Sequence, residues 1–272
     1  MIGRSKEKEM LLTCEEPKEA EFVVLYGRRR VGKTYLINSL FDNRFTFRFT
    51  GIENGNTELT INAFRLALEN YGAVNLSEKK EWLYCFNDLR KLIEQSPQKG
   101  KKIVFLDELP WMDTANSDFL PAFEHFWNGW ASSRKDLMLI VCGSVTSWII
   151  RKLFRNVGGL FNRVTRQIRL QAFSLRECRE YFLDQGFNYS QREVIESYMI
   201  FGGIPYYLSL FRKSYSFKGN IDQICFGNNP ALRDEMEHLL ATLSSSSKTY
   251  LEVIFCMKKS KQGFPVRNCY NS

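Results

Sequence analysis

Gly27-Arg28-Arg29-Arg30-Val31-Gly32-Lys33-Thr34 fits the pattern G-x-x-x-x-G-K-[ST] at every fixed position. The apolar run Phe22-Val23-Val24-Leu25-Tyr26 precedes it, short and β-branched, and predicts a buried strand. Helical signal follows from Lys33 to about Leu40. A strand, a glycine-bearing loop and a helix start in that order make a cradle for phosphate. The glycines let the backbone curl with its N–H groups inward. The helix N-terminus adds partial positive charge. In such a cradle Lys33 reaches the β- and γ-phosphates of ATP, and the Thr34 hydroxyl ligates Mg²⁺. Gly27, Val31, Gly32 and Tyr35 complete the expected binding set. Arg28, Arg29 and Arg30 fill variable positions and raise the local positive potential, with a solvated charge run as the favoured account of them.

Outward from the loop, strands and helices alternate. Phe45, Phe47 and Phe49 alternate with Thr46, Arg48 and Thr50, a strand pattern. Helices are expected over 58–71 and 81–95. Ile103-Val104-Phe105-Leu106 reads as a third strand, 119–130 as an aromatic-rich helix, 137–142 as a fourth strand and 166–170 as a fifth. This alternation predicts an α/β fold: a parallel five-stranded sheet with helices on both faces. After Phe173 helices are expected over 174–182, 190–201 and 205–210. Ser174 and Ser190 each have a glutamate three residues on, Glu177 and Glu193, which is capping-box spacing. The expected division is a core over 1–172, a helical lid over 173–243 and a remainder over 244–272.

The third strand ends in Asp107-Glu108. Four apolar residues followed by Asp-Glu form a Walker B pattern, which delivers both carboxylates to the C-terminal edge of the sheet. Asp107 is the expected partner of Mg²⁺, and Glu108 the residue that orients and polarises an attacking water. An Asn/Thr-Lys-x-Asp guanine-reading motif does not occur, which favours ATP over GTP.

The chain has 272 residues, 44% hydrophobic and 25% charged, which is ordinary globular usage. Its seven cysteines are an odd number at wide spacings, and it has two histidines, which argues against a disulfide framework and a zinc site. Reduced thiols suggest a cytoplasmic protein. No run of 18 apolar residues occurs, so no membrane insertion is expected. The formal net charge of +8 suits polyanionic partners. Residues 151–179 carry eight Arg/Lys (Arg151, Lys152, Arg155, Arg163, Arg166, Arg169, Arg176 and Arg179) against one glutamate. One reading of them is a groove for the DNA backbone. Trp127, Trp130 and Trp148 are expected to pack helices rather than stack bases.

Several motifs stand in a fixed order: Ile2-Gly3-Arg4 with Glu7, GRRRVGKT, IVFLDELPWM, LMLIVCGS, LFNRVTRQIRL, and Gly202-Gly203-Ile204-Pro205-Tyr206-Tyr207-Leu208. Together they resemble the archaeal-type ATPase family, a branch of the P-loop ATPases allied to AAA+ and STAND proteins, over roughly residues 1–255. The resemblance implies a helical lid on the P-loop core and Mg-ATP hydrolysis coupled to its movement. It places Gly3 and Arg4 near the adenine. It makes Ser144 a sensor of the γ-phosphate, and Pro205 a lid residue packing on the nucleotide. It makes Arg163 an arginine finger in its own or a neighbouring subunit, and the second case would make the chain a homo-oligomer; Asn162 replaces the family's glycine there. Members usually continue into a winged helix and a nuclease-like domain. Tyr250-Leu251-Glu252-Val253-Ile254 resembles a winged-helix start, so the expectation is a C-terminally truncated product or a short form, without DNA cleavage. Two other readings stay open: a slow nucleotide-gated switch holding ATP or ADP, and a DNA-binding module with nucleotide as ligand.

Overall fold

In the computed structural model, five parallel strands form one sheet: β1 (Glu21–Tyr26), β2 (Phe45–Thr50), β3 (Lys102–Asp107), β4 (Leu137–Gly143) and β5 (Arg166–Arg169). Their order is β2-β3-β4-β1-β5, with every neighbouring pair parallel. The structure describes residues 2–16, 18–155, 159–160, 162–228, 230, 232 and 235. The expected winged-helix start and tail over 244–272 lie outside the described residues.

All seven residues of β4 are buried, as its unbroken apolar sequence requires of a strand covered on both faces. Alternation then sorts side chains by face. Phe22 and Val24 of β1 enter one buried cluster, and Val23 and Leu25 the other. The first cluster is aromatic and carries α3 (Thr57–Asn70), α4 (Trp82–Gln95) and α5 (Phe119–Gly129), reached by the chain after α1 (Ser5–Thr13) and α2 (Lys33–Phe41). Phe22 lies 5.8 Å from Phe123 and 4.8 Å from Trp127, ring centre to ring centre. Burying each such ring contributes about 1.5–3 kcal/mol. Trp127 and Trp148 are core residues, in keeping with the packing role expected of them. On the other face, Leu11 of α1 and Leu36, Ile37 and Phe41 of α2 pack with Phe105, Ile140 and Cys142.

The short helix α6 (Thr146–Ile149) runs into a π-helical turn, Ile150–Phe154. The remaining helices are α7 (Leu175–Asp184), α8 (Gln191–Phe201), α9 (Pro205–Leu208) and α10 (Phe217–Phe226). They share a third cluster built on Phe173, Phe182, Phe201, Phe211 and Phe217. Both capping boxes form as spaced in the sequence: Ser174 with Glu177, and Ser190 with Glu193. The helix expected over 205–210 stops at Leu208.

Helices α1, α6 and α10 escape a reading by pattern. Helix α1 opens on the charged run Lys6-Glu7-Lys8-Glu9 and buries only Leu11. Helix α10 contains Gly219 and Asn220, both poor helix formers. Tertiary bonds override propensity there. The buried Asn220 side chain accepts from the Arg212 N–H at 2.7 Å and donates to the Arg212 carbonyl at 2.9 Å.

The helical cluster joins the sheet where Phe173 donates its N–H to the Gly203 carbonyl at 2.8 Å. Gly203 has φ +68°, and a Cβ there would sit 2.2 Å from the Phe173 carbonyl oxygen. Only glycine fits this crossing.

Candidate functional site

The loop 27–34 leaves the C-terminal edge of β1 and ends in α2. Gly27, at φ +151°, lets the chain pass against β5, since a Cβ there would lie 2.2 Å from the Leu170 carbonyl oxygen. Arg30 and Gly32 are left-handed, at φ 70° and 92°. Such turns form a concavity lined by backbone N–H groups. Lys33 is buried, and its Nζ donates to the carbonyls of Gly27 and Arg28, each at 3.1 Å.

Strand β4 separates β3 from β1, yet the acidic pair still reaches the loop. Thr34 Oγ1 donates to Asp107 Oδ2 at 2.8 Å. Asp107 Oδ1 accepts from the Glu108 N–H at 3.0 Å and from Cys142 Sγ at 2.6 Å. Burial, reinforced by the Asp107 charge, pushes the Cys142 thiol well above its ordinary range. Glu108 has left the strand conformation, at φ 47°. Its Oε2 accepts from both the Ser144 N–H and the Ser144 Oγ, each at 2.9 Å. No bond to Oε1 occurs among the described residues.

A cavity of about 580 Å³ opens beside the loop. Gly32, Lys33, Thr34 and Glu108 line it, with Ile2, Phe173, Pro205 and the rings of Tyr181 and Tyr206 as apolar surface and Asp184, Gln185 and Ser209 as further polar groups. Val31 and the exposed Tyr35 also line it. Arg4 reaches it as well. Its buried guanidinium donates to the Val31 carbonyl at 3.2 Å and the Gln171 carbonyl at 2.7 Å, and lies 5.0 Å from the Phe173 ring centre. It therefore ties the loop to the end of β5. Burial lowers its pKa, with Glu7 and Glu177 opposing.

The three loop arginines part company. Arg28 is exposed, and Arg29 bonds Glu53 at 3.2 Å. Arg30 corrects the expectation of a solvated charge run. Its guanidinium lies 4.2 Å from the Tyr206 ring centre and 5.7 Å from that of Tyr207, and it pairs with Glu235. Tyr207 Oη donates to Glu235 at 2.5 Å. Burial and the Glu235 carboxylate push the Tyr207 hydroxyl up to about 12. A left-handed arginine costs about 1–2 kcal/mol; these partners offset it.

Gly3, Ser144 and Arg163 do not line the cavity. Ser144 acts on it through Glu108, whereas Arg163 is exposed in a turn after Leu160. Sequence reading misses Cys142, Phe173, Tyr181 and Glu235. A cysteine inside an apolar strand carries no pattern, and the partners of Arg30 lie far along the chain.

A family model described as an ATPase domain found predominantly in Archaea matches residues 1–211. The chain belongs to this family. An uncharacterised protein of Methanocaldococcus jannaschii is 24% identical over 253 residues, covering 93% of this chain and 53% of the relative. This ATPase-family chain thus spans about half the length of that curated relative. Among solved structures, a Walker-type ATPase of Pyrococcus abyssi superposes with TM-score 0.67 at 18% identity, covering 99% of this chain and 87% of that one. A STAND protein of Pyrococcus horikoshii with a tetratricopeptide repeat sensor gives TM-score 0.51 at 16% identity, covering 99% and 36%. The sheet and its flanking helices have the P-loop NTPase fold of these neighbours. Among the described residues no helix is long and apolar enough to cross a membrane.

Proposed function

We propose that this chain binds Mg-ATP in the 580 Å³ cavity and hydrolyses it. The observation that carries this reading is the Thr34–Asp107 bond of 2.8 Å, with Glu108 anchored beside it. Phosphate-cradling, metal-holding and water-orienting groups thereby meet at one sheet edge. The donor set fits magnesium: a hydroxyl and a carboxylate oxygen are hard ligands, and Mg²⁺ takes one or two side chains together with phosphates and water. When bound, the ion neutralises charge on the β- and γ-phosphates.

The chain's own groups supply the rest. The loop N–H groups and the start of α2 bind phosphate oxygens. Lys33 exchanges its carbonyl partners for the β/γ-oxygens. Glu108 uses Oε1 to orient a water in line with the γ-phosphorus, while Ser144 fixes Oε2. Arg4, Pro205 and the aromatic wall take the adenine end.

Arg30 supports coupling to the helices after Phe173, because one side chain in the phosphate loop also stacks on Tyr206 and pairs with Glu235. Rearrangement of the loop around phosphates strains those contacts and shifts the lid.

The position of Arg163 supports a second reading, a slow nucleotide-gated switch. An exposed arginine outside the cavity is placed for a second copy to use. An arginine supplied in trans raises turnover by about 10³–10⁵. Turnover per chain measured against protein concentration separates the readings. A steep rise supports hydrolysis in an oligomer; tight nucleotide binding without turnover at any concentration supports the switch.

A further inference from the structure

The metal-side carboxylate has a thiol among its donors. Asp107 is 3% exposed and Cys142 fully buried. Leu106 of β3 pairs with Val141 of β4, so Asp107 and Cys142 follow one another at the ends of adjacent strands. There Cys142 Sγ reaches Asp107 Oδ1 at 2.6 Å beside the Glu108 N–H at 3.0 Å, while Thr34 holds Oδ2 at 2.8 Å. The two oxygens are therefore distinguished by their donors. A cysteine suits this place physically. It packs as a small hydrophobe in the same buried cluster as Val23, Leu25, Phe105 and Ile140, yet keeps one S–H to donate. Being a weak donor, it orients the carboxylate while withdrawing little charge from it. A carboxylate holding a cation needs that charge.

We propose that Cys142 is a positioning residue for the metal-binding carboxylate: its S–H fixes Oδ1 of Asp107 and so aims Oδ2 at the Thr34 hydroxyl and the magnesium of a bound nucleotide. This rests on the reading of Thr34 and Asp107 as magnesium holders. Partners that orient a ligand in this way typically govern metal affinity by about 10–100-fold. The bond engages the carboxylate oxygen that Thr34 does not. Removing it should change the Mg²⁺ requirement and leave metal-free nucleotide binding alone.

The test uses Cys142→Ser, Cys142→Ala and Cys142→Val in the full chain. Affinity for a fluorescent ADP analogue is titrated across Mg²⁺ concentrations and repeated in EDTA, with thermal midpoints recorded in parallel. The serine variant keeps a donor, the valine variant keeps bulk without one, and the alanine variant stands in if valine overpacks. The expected result is a rise of about tenfold in the Mg²⁺ concentration giving half-maximal tightening for alanine and valine, a change within about twofold for serine, and equal affinities in EDTA. Wild-type Mg²⁺ dependence in both donor-free variants would overturn the proposal. So would a shift in serine as large as in valine, since side-chain volume would then be the cause. Failure of the wild-type chain to bind the analogue at all would instead overturn the nucleotide reading, and this proposal with it.

Discussion

Glu108 lines the cavity, and Ser144 fixes its Oε2 with two bonds of 2.9 Å. Ser144→Ala removes the hydroxyl bond and keeps the N–H. A hydrogen bond to a charged group is worth about 1.5–3 kcal/mol, so turnover should fall by about tenfold or more. Nucleotide affinity should stay unchanged, which a binding titration beside a rate assay checks. Lys33→Ala should weaken nucleotide binding by about a hundredfold or more, because the β/γ-phosphate charge loses its buried cation. Equilibrium binding of the fluorescent ADP analogue reads this directly. The residues at fixed motif positions are legible in the sequence, because the motif fixes both type and spacing. Thr34 and Asp107 meet as the motifs imply. Ser144 stands out in the sequence only through the family resemblance, and its bond to Glu108 is not legible, since spacing alone cannot say which group a serine faces. Arg30 reads as surface charge until the fold brings Tyr206, Tyr207 and Glu235 to it.

Helix ends were the easiest elements to read, because their chemistry is local. Ser174 and Ser190 announce α7 and α8, and each box closes with the glutamate three residues on. Ser174→Ala should cost about 1 kcal/mol of stability, seen as a lower denaturation midpoint. Gly203→Ala tests the junction between sheet and helices. Its Cβ would fall 2.2 Å from the Phe173 carbonyl oxygen, at a backbone angle that alanine resists. The strain should cost about 1–3 kcal/mol. Hydrogen exchange should quicken in α8 and α9 before it does in β1 and β4. The strands were legible by their apolar runs, though not their order. An apolar run states that a strand is buried and leaves its neighbours open, so β4 lying between β1 and β3 emerges only from the pairing. Helix α10 is not legible in the sequence, since Gly219 and Asn220 interrupt its pattern and Asn220 bonds back to Arg212, a contact outside any helical period.

Over the whole molecule, charge and position set the open questions. Arg151, Arg155, Arg163, Arg169, Arg176 and Arg179 are exposed on a chain of net charge +8. If they track a phosphate backbone, duplex DNA binding should weaken steeply between 50 and 200 mM salt, with a slope of about −0.9 per phosphate neutralised. Absence of binding at low salt would remove DNA as a partner. The family match ends at residue 211, while Glu235 reaches back to the phosphate loop, so contacts bearing on the site lie beyond the matched domain. The central claim is that Glu108 orients water for hydrolysis of ATP held by the loop. The most direct test is steady-state phosphate release from Mg-ATP by the wild-type chain and Glu108→Gln, with nucleotide affinity measured on both. The account predicts release by the wild type, a loss of about a hundredfold or more in the variant, and affinities within a few-fold of each other. Equal release by the two proteins would contradict it.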